Sequence, residues 1–183
     1  KNKYSVLLPT YNEKENLPIV VFLIDKAFLK INVSYEIVVI DDNSPDGTYE
    51  MALKLQKLYT EKKIKILKRS GKLGLGSAYK DGLALASGSH IFIMDSDLSH
   101  NPKFIPPFII RQELSGCDIV TGTRYSQGGG ITGWGFKRKL MSQVANFLAL
   151  ELLKPGLTDL TGSYRLYKKE ALDKVISNVR SKG

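Results

Sequence analysis

Short apolar runs recur along this chain, each closed by a polar turn cluster and separated from the next by a stretch of helical periodicity. That alternation leaves few folds open. Tyr4 to Leu8, ended by Pro9, Tyr35 to Ile40, Ile64 to Leu67, Ile91 to Met94 and Asp118 to Thr121 are expected to be strands. Between them, Asn16 is expected to cap a helix whose apolar positions Leu17, Val20, Val21, Ile24, Ala27 and Phe28 keep the helical spacing. Thr48 to Tyr59, Ser77 to Ala86 and Pro102 to Leu114 read as further helices. The prediction is an α/β fold: one domain over residues 1–183, with a mainly parallel sheet and helices on both faces. Right-handed crossovers then bring the C-terminal ends of the strands to one edge. Pro9 to Glu13, Asp41 to Asp46, Asp95 to Ser99 and Gly122 to Tyr125 all lie at such ends.

The most chemically suggestive of these clusters is Asp95-Ser96-Asp97. Residues two apart in extended chain point to the same side, so both carboxylates can reach one point. Clustered oxygens suit a hard divalent cation such as Mg²⁺ or Mn²⁺. Taken alone, the segment reads better as a turn before a helix start, with Asn101 as cap and Pro102 in the first turn. Its place at a strand end, beside three other polar strand ends, reverses that preference.

Charge narrows the partners. The chain has 183 residues and a net charge of +9, clustered in Lys62 to Lys72, Lys137-Arg138-Lys139 and Lys168-Lys169. A basic protein can meet nucleic acid, an anionic membrane surface or a phosphorylated substrate. Basic and aromatic residues are not interleaved, and no helix-turn-helix or zinc-finger pattern is present, so nucleic acid is not an expected partner. Cys117 is the single cysteine, which excludes an internal disulfide. No apolar run approaches the ~20 residues needed to span a bilayer.

Two other segments need weighing. Gly74-Leu75-Gly76-Ser77-Ala78-Tyr79 falls short of a dinucleotide fingerprint, because Tyr79 replaces the last glycine and the turn follows the third strand. Phe136 to Leu153 reads as a helix, basic at its start and rich in Leu, Met, Val and Phe afterwards. It is expected to be chiefly a buried core helix, and its basic end also suits a membrane interface.

Taken together, Leu8-Pro9-Thr10-Tyr11-Asn12-Glu13, Asp41 to Gly47, Asp95-Ser96-Asp97 and Gly122-Thr123-Arg124-Tyr125 follow the order and spacing of the inverting family 2 glycosyltransferases. Leu73 to Gly76, Asp97-Leu98-Ser99-His100, Gly133-Trp134, Lys137-Arg138-Lys139 and Asp159 to Arg165 resemble the dolichol-phosphate mannosyltransferase branch of that family. The resemblance implies a GT-A (Rossmann-like) fold and transfer of mannose from GDP-mannose to dolichyl phosphate. It also implies a peripheral position on the cytosolic face of the endoplasmic reticulum membrane. Pro9, Tyr11, Glu13, Ile40 and Asp42 should bind the donor nucleotide, with Ile40 and Asp42 at the base; Asp42 otherwise serves as a helix cap. Asp95, Ser96, Asp97 and Ser99 should meet the sugar and Mg²⁺ or Mn²⁺, with Asp95, Asp97 and Ser99 as the metal set. Arg124 joins Asp95 and Asp97 in the catalytic and donor-binding sets.

The acceptor then sets the mechanism. A phosphate monoester has a second pKa of about 6 and needs no general base. Holding one anion beside another calls for arginine. Arg124, Arg138 and Ser142 match the family's acceptor-phosphate residues, and Arg138 and Ser142, four apart on a helix, share a face. For Arg138, inside Lys-Arg-Lys, a plain surface charge is the competing reading. Asp159 is expected to orient Arg165 or Arg138, or to close its own turn, and His100 is expected to be structural. Without a spanning helix, a membrane-bound lipid substrate calls for an interfacial helix or small membrane-anchoring subunits. Family chains continue past the position of Gly183, so the domain is expected to lack its C-terminal end. The competing functions are a polyprenyl-phosphate glycosyltransferase using UDP-glucose and a non-catalytic nucleotide-sugar binding module.

Overall fold

The computed structural model describes residues 2–124, 136–153, 158–159 and 162–178. The Gly133-Trp134 pair, quoted above, lies outside them. The chain divides into two compact units, one of Lys1–Val120 with Tyr164–Gly183, the other of Thr121–Ser163.

The first unit is an α/β layer structure. Strands β1 (Lys3–Thr10), β2 (Ser34–Asp41), β3 (Ile64–Lys68), β4 (His90–Ile93), β5 (Ile119–Thr121) and β6 (Arg165–Lys168) form one sheet in the order β3-β2-β1-β4-β6-β5. Pairing is parallel for β1 with β2 and β4, and for β2 with β3; β6 runs antiparallel to β4. Helices α1 (Asn16–Ile31), α2 (Thr48–Tyr59), α3 (Leu75–Leu85), α4 (Ile105–Ser115) and α6 (Lys169–Asn178) cover the sheet, and α5 (Phe136–Leu153) belongs to the second unit.

Both sheet faces are apolar, which is why the strands lack polar alternation. Val6, Leu8, Ile37, Val39, Phe92 and Met94 turn one way, into a cluster with Val20, Ile24 and Phe28 of α1, Ala52 and Leu55 of α2, and Ile105 and Phe108 of α4. Leu7, Val38, Ile40, Ile91 and Ile93 turn the other way, against Ala78 and Leu83 of α3 and Leu172 of α6.

Three local expectations need correction. Pro9 does not end β1; it stays in register with Ile40, and Thr10 with Asp41. The ladder to β4 stops at Leu7–Ile93, so the missing amide of Pro9 leaves no pairing bond unmade on that side. Asn16 is not a cap: Glu15 holds that position without a side-chain bond, and Asn16 Nδ2 donates to Glu13 Oε2 at 2.8 Å. The strand β6 and helix α6 were not foreseen, because Arg165-Leu166-Tyr167-Lys168 offers just two apolar residues, one for each face. Asn101 does cap as expected, its side chain accepting from Lys103 N at 3.0 Å.

The α5 reading also changes. Met141, Phe147, Leu148 and Leu152 are exposed, as are Leu140 and Val144, so among the described residues α5 is not a buried core helix. No helix among the described residues is long and apolar enough to cross a membrane.

Candidate active site

The strand order reverses at β1. The chain builds outward through β2 and β3, then returns to place β4 on the other side of β1, and loops leaving such a reversal splay apart to form a crevice. A cavity of about 330 Å³ lies there. It is lined after β1 by Pro9, Thr10, Tyr11 and Glu13, after β2 by Asp42, after β3 by Lys72, Gly74 and Leu75, and after β4 by Asp95, Ser96 and Asp97.

The turns that present these residues are tied to one another. Ser96 Oγ donates to the Pro9 carbonyl at 2.8 Å, fixing the end of β4 to the end of β1. Of the two adjacent aspartates after β2, Asp41 is fully buried and accepts from Thr10 Oγ1, Ser44 N and Ser44 Oγ, while Asp42 turns to the cavity. Asp42 is not a helix cap. Gly47 holds that position, and Asp46 before it accepts from Thr48 N at 3.0 Å, Thr48 Oγ1 at 2.6 Å and Lys14 N at 3.1 Å. Asn12, Asn43 and Leu98, in three of the four loops, adopt left-handed backbone (φ 59°, 58° and 63°). Asn tolerates that region; Leu does so at a cost.

His100 supports Asp95 directly. Its Nδ1 accepts the Asp95 backbone N–H at 2.9 Å, which places the ring proton on Nε2, 3.6 Å from Asp95 Oδ2. The ring stacks on Tyr164, which stacks on Phe108. His100→Ala should leave the Asp95 N–H without its acceptor and cost roughly 1–3 kcal/mol. The check is a urea unfolding midpoint; an unchanged midpoint would show that the contact holds nothing in place.

The cavity also gathers negative charge. Burial first, then the negative charges of Asp97, Asp46 and Asp95, hold the Glu13 carboxyl above its ordinary range, against the bond from Asn16. Carboxylates that repel one another in a shared cavity are what a divalent cation relieves. Among the described residues no three His, Cys, Asp or Glu side chains gather as a complete cation site. Asp95 and Asp97, expected from the sequence resemblance to hold a metal, both line the cavity. Asp97 Oδ1 accepts from Ser99 N at 3.0 Å, and the Ser99 side chain is not part of the cavity wall.

Two further placements matter. Ile40, expected at the nucleotide base, is fully buried, its Cδ1 filling the space opposite Gly82, and it is not part of the cavity wall. Lys72, which the sequence reading passed over as part of a charge run, sits with Nζ 3.5 Å from the Tyr11 ring centroid and lines the cavity. A lysine resting on a tyrosine at a pocket wall is a ready anion contact.

The second unit holds the residues matched to the acceptor phosphate. Arg124 is forked onto buried Asp159, with Nε–Oδ2 at 2.7 Å, Nη2–Oδ1 at 2.9 Å and its backbone N–H on Oδ2 at 3.1 Å. Asp159 also accepts from Gly162 N at 3.0 Å. It therefore orients Arg124, a pairing the sequence reading did not foresee, and closes its own turn as one reading held. Ser142 is half-buried on α5; Arg138 lies on the same helix, its side chain outside the described residues. Arg165 is in the first unit, at the start of β6 opposite Ile93, with Nη1 3.3 Å from Tyr167 Oη.

Comparison with known proteins agrees with this architecture. The family described as "Glycosyl transferase family 2" matches residues 5–176. A polyprenol monophosphomannose synthase of Mycolicibacterium smegmatis is 37% identical over 182 residues, covering 97% of this chain and 66% of its own length. A dolichol-phosphate mannosyltransferase of Pyrococcus furiosus is 40% identical over 179 residues, 96% of this chain and 49% of its own. The chain thus spans about half to two thirds of the length of these relatives. Among solved structures, a mannosyltransferase of Pyrobaculum calidifontis in complex with GDP-Man and Mn²⁺ superposes with a TM-score of 0.68 at 17% identity, covering 96% of this chain and 47% of that one. A mannosyl-3-phosphoglycerate synthase of Rubrobacter xylanophilus gives 0.68 at 18% identity, with 92% and 54% covered. At such identities these structures speak for the fold, which is the GT-A arrangement.

Proposed function

The chain belongs to glycosyl transferase family 2, and we propose that it carries out mannosyl transfer from GDP-mannose to a polyprenyl phosphate such as dolichyl phosphate, with inversion at the anomeric carbon. The carrying observation is the carboxylate-rich cavity at the strand reversal, where Asp95, Asp97 and Glu13 concentrate negative charge beside Asp42 and Lys72. The names of the Mycolicibacterium and Pyrococcus relatives point to the same reaction class.

In this reading Asp42 accepts from the guanine edge, Tyr11 and Pro9 flank the nucleotide, and Lys72 contacts its phosphates. Asp95 and Asp97 would hold Mg²⁺ or Mn²⁺, which supplies charge neutralisation on the departing diphosphate. Arg124, oriented by Asp159, receives the acceptor phosphate with Arg138 and Ser142. An acceptor phosphate oxygen forms the new bond to the anomeric carbon as the bond to the diphosphate breaks. The oxygen is already deprotonated near neutrality, so no side chain has to remove a proton. With polyprenyl phosphate as substrate, the working surface is a membrane, the cytosolic face of the endoplasmic reticulum in a eukaryotic cell. The exposed apolar residues of α5 with its basic start, or small membrane-anchoring subunits, would hold the protein there.

The test is a titration of GDP, UDP and their sugar conjugates with and without Mn²⁺, followed by an assay of transfer to a short polyprenyl phosphate. Binding of GDP strengthened by Mn²⁺, and turnover of GDP-mannose, are the expected results. Preference for UDP-glucose would replace the donor assignment, and binding without turnover on any acceptor would reduce the chain to a binding module.

A further inference from the structure

Leu98 is an unexpected residue for the backbone it occupies. Among the described residues it is the one apolar side chain on left-handed backbone, at φ 63°, whereas Asn12, Asn32 and Asn43 occupy other such positions. Asparagine meets that conformation with a short side chain that bonds locally; a leucine Cβ crowds the following carbonyl. A strained residue persists where its surroundings over-determine it, and nothing in the proposed reaction uses Leu98 itself.

Those surroundings form a closed turn. Asp97 Oδ1 accepts from Ser99 N at 3.0 Å, and His100 Nδ1 accepts from Asp95 N at 2.9 Å, so residues 95 and 100 meet across Leu98. The Leu98 side chain is half-buried and packs against the core cluster that contains Met94, Ile105, Phe108 and Tyr164. The His100 ring lies on Tyr164 of that cluster, with centroids 5.0 Å apart and planes within 14°. The turn is therefore pinned to the core at Leu98 and at His100, while Asp95 and Asp97 line the cavity.

Stability alone does not account for the leucine. Asparagine or glycine would take the same backbone without strain, and burying part of an aliphatic side chain gains about as much as the strain costs. What the side chain adds is a fixed point. Asp95 and Asp97 share their cavity with Glu13, whose carboxyl they help to hold up, and that repulsion works to open an unanchored turn.

We infer that Leu98 is a positioning residue for Asp95 and Asp97: its side chain, seated in the core against backbone strain, keeps their turn closed before any ligand arrives. That these carboxylates serve the donor rests on the proposed function; that Leu98 holds their turn does not.

The test pairs Leu98→Asn, which suits the backbone but lacks the apolar side chain, with Leu98→Met, which keeps an apolar side chain and the strain. Amide hydrogen exchange is followed at Asp95 and along β1 and β2, and GDP binding with Mn²⁺ is measured by calorimetry. In Leu98→Asn the Asp95 amide should exchange at least about tenfold faster and GDP should bind about tenfold more weakly, because a ligand that needs the closed turn binds in proportion to the time it is closed. Exchange along β1 and β2 should change less than about threefold, since relief of strain offsets the lost burial. Leu98→Met should stay within about threefold of wild type in both measurements. Wild-type exchange and affinity in Leu98→Asn, or an acceleration shared equally by Asp95, β1 and β2, overturns the inference. Wild type failing to bind GDP with Mn²⁺ would instead remove the donor reading, and exchange at Asp95 would then decide alone whether Leu98 holds the turn.

Discussion

Asp97→Asn is expected to lower metal-dependent mannosyl transfer about a thousandfold, roughly 4 kcal/mol of transition-state stabilisation, while leaving the fold as stable as before. The substitution is isosteric, and Asp97 is exposed with one described partner, the Ser99 N–H, which an amide oxygen still accepts. No core contact changes. What is lost is a charge in a cavity whose wall also carries Glu13, Asp42 and Asp95. Asp97 comes after burial and ahead of Asp46 and Asp95 in holding the Glu13 carboxyl up, so its neutralisation should let Glu13 titrate nearer its ordinary value. The same charge is what a cation needs. Two measurements check this together: Mn²⁺ affinity in the presence of GDP, and kcat/KM for GDP-mannose. Loss of both with an unchanged unfolding midpoint is the expected pattern. Transfer within about tenfold of wild type would show that Asp97 is not part of the metal set.

The same residues show how far sequence reasoning reaches. Strand and helix identity was legible because burial on two faces writes continuous apolar runs, and α2 and α5 begin and end where periodicity placed them. The site's location followed from topology: once the runs alternate with helices, the polar ends of the parallel strands have one edge to occupy. Its internal wiring did not follow. Asp41 and Asp42 are adjacent and identical in type, and which of them is structural depends on the pleat, which turns one inward and its neighbour out. Arg69 and Lys72 sit in a run of basic residues that reads as solvated charge until the fold buries one and lays the other on Tyr11. His100 could be judged structural from its isolation, but its partner, the Asp95 N–H, needs the turn at Leu98 to bring it within reach. Pairing of Arg124 with Asp159 spans a sequence separation no local pattern encodes. The exposed face of α5 reverses the sequence expectation for a simpler reason. Apolar content measures a tendency to leave water, and does not say which surface receives it.

The second large effect lies at the opposite end of the sheet and concerns stability alone. Glu36 of β2 is fully buried, yet five donors converge on it: Lys3 Nζ at 2.6 Å, Ser5 Oγ at 2.7 Å, Ser87 N at 2.6 Å and Oγ at 2.7 Å, and Lys65 Nζ at 3.2 Å. Burial alone would push the carboxyl up, but the bonds from Lys3, Ser87 and Ser5 together outweigh it and carry the pKa down to about 2 from the ordinary 4.5. Because the folded value lies below the unfolded one, the ionised group's stabilisation is complete above pH 4.5 and fades as pH falls toward 2. The full term is about 3 kcal/mol, of which roughly 1–2 kcal/mol should be gone by about pH 3.5. Glu36→Gln keeps the shape and presents an NH₂ where donors already stand, so it should cost about 3–5 kcal/mol at neutral pH. The difference between the two proteins should then shrink on acidification, since below about pH 4.5 the unfolded wild-type chain takes up a proton that folded Glu36 still excludes. Urea unfolding at pH 7 and at a pH near 3.5 checks both points. A gap of the same size at both values would mean that the convergence of donors, and not the charge, is what holds β1, β2, β3 and the turn before β4 together.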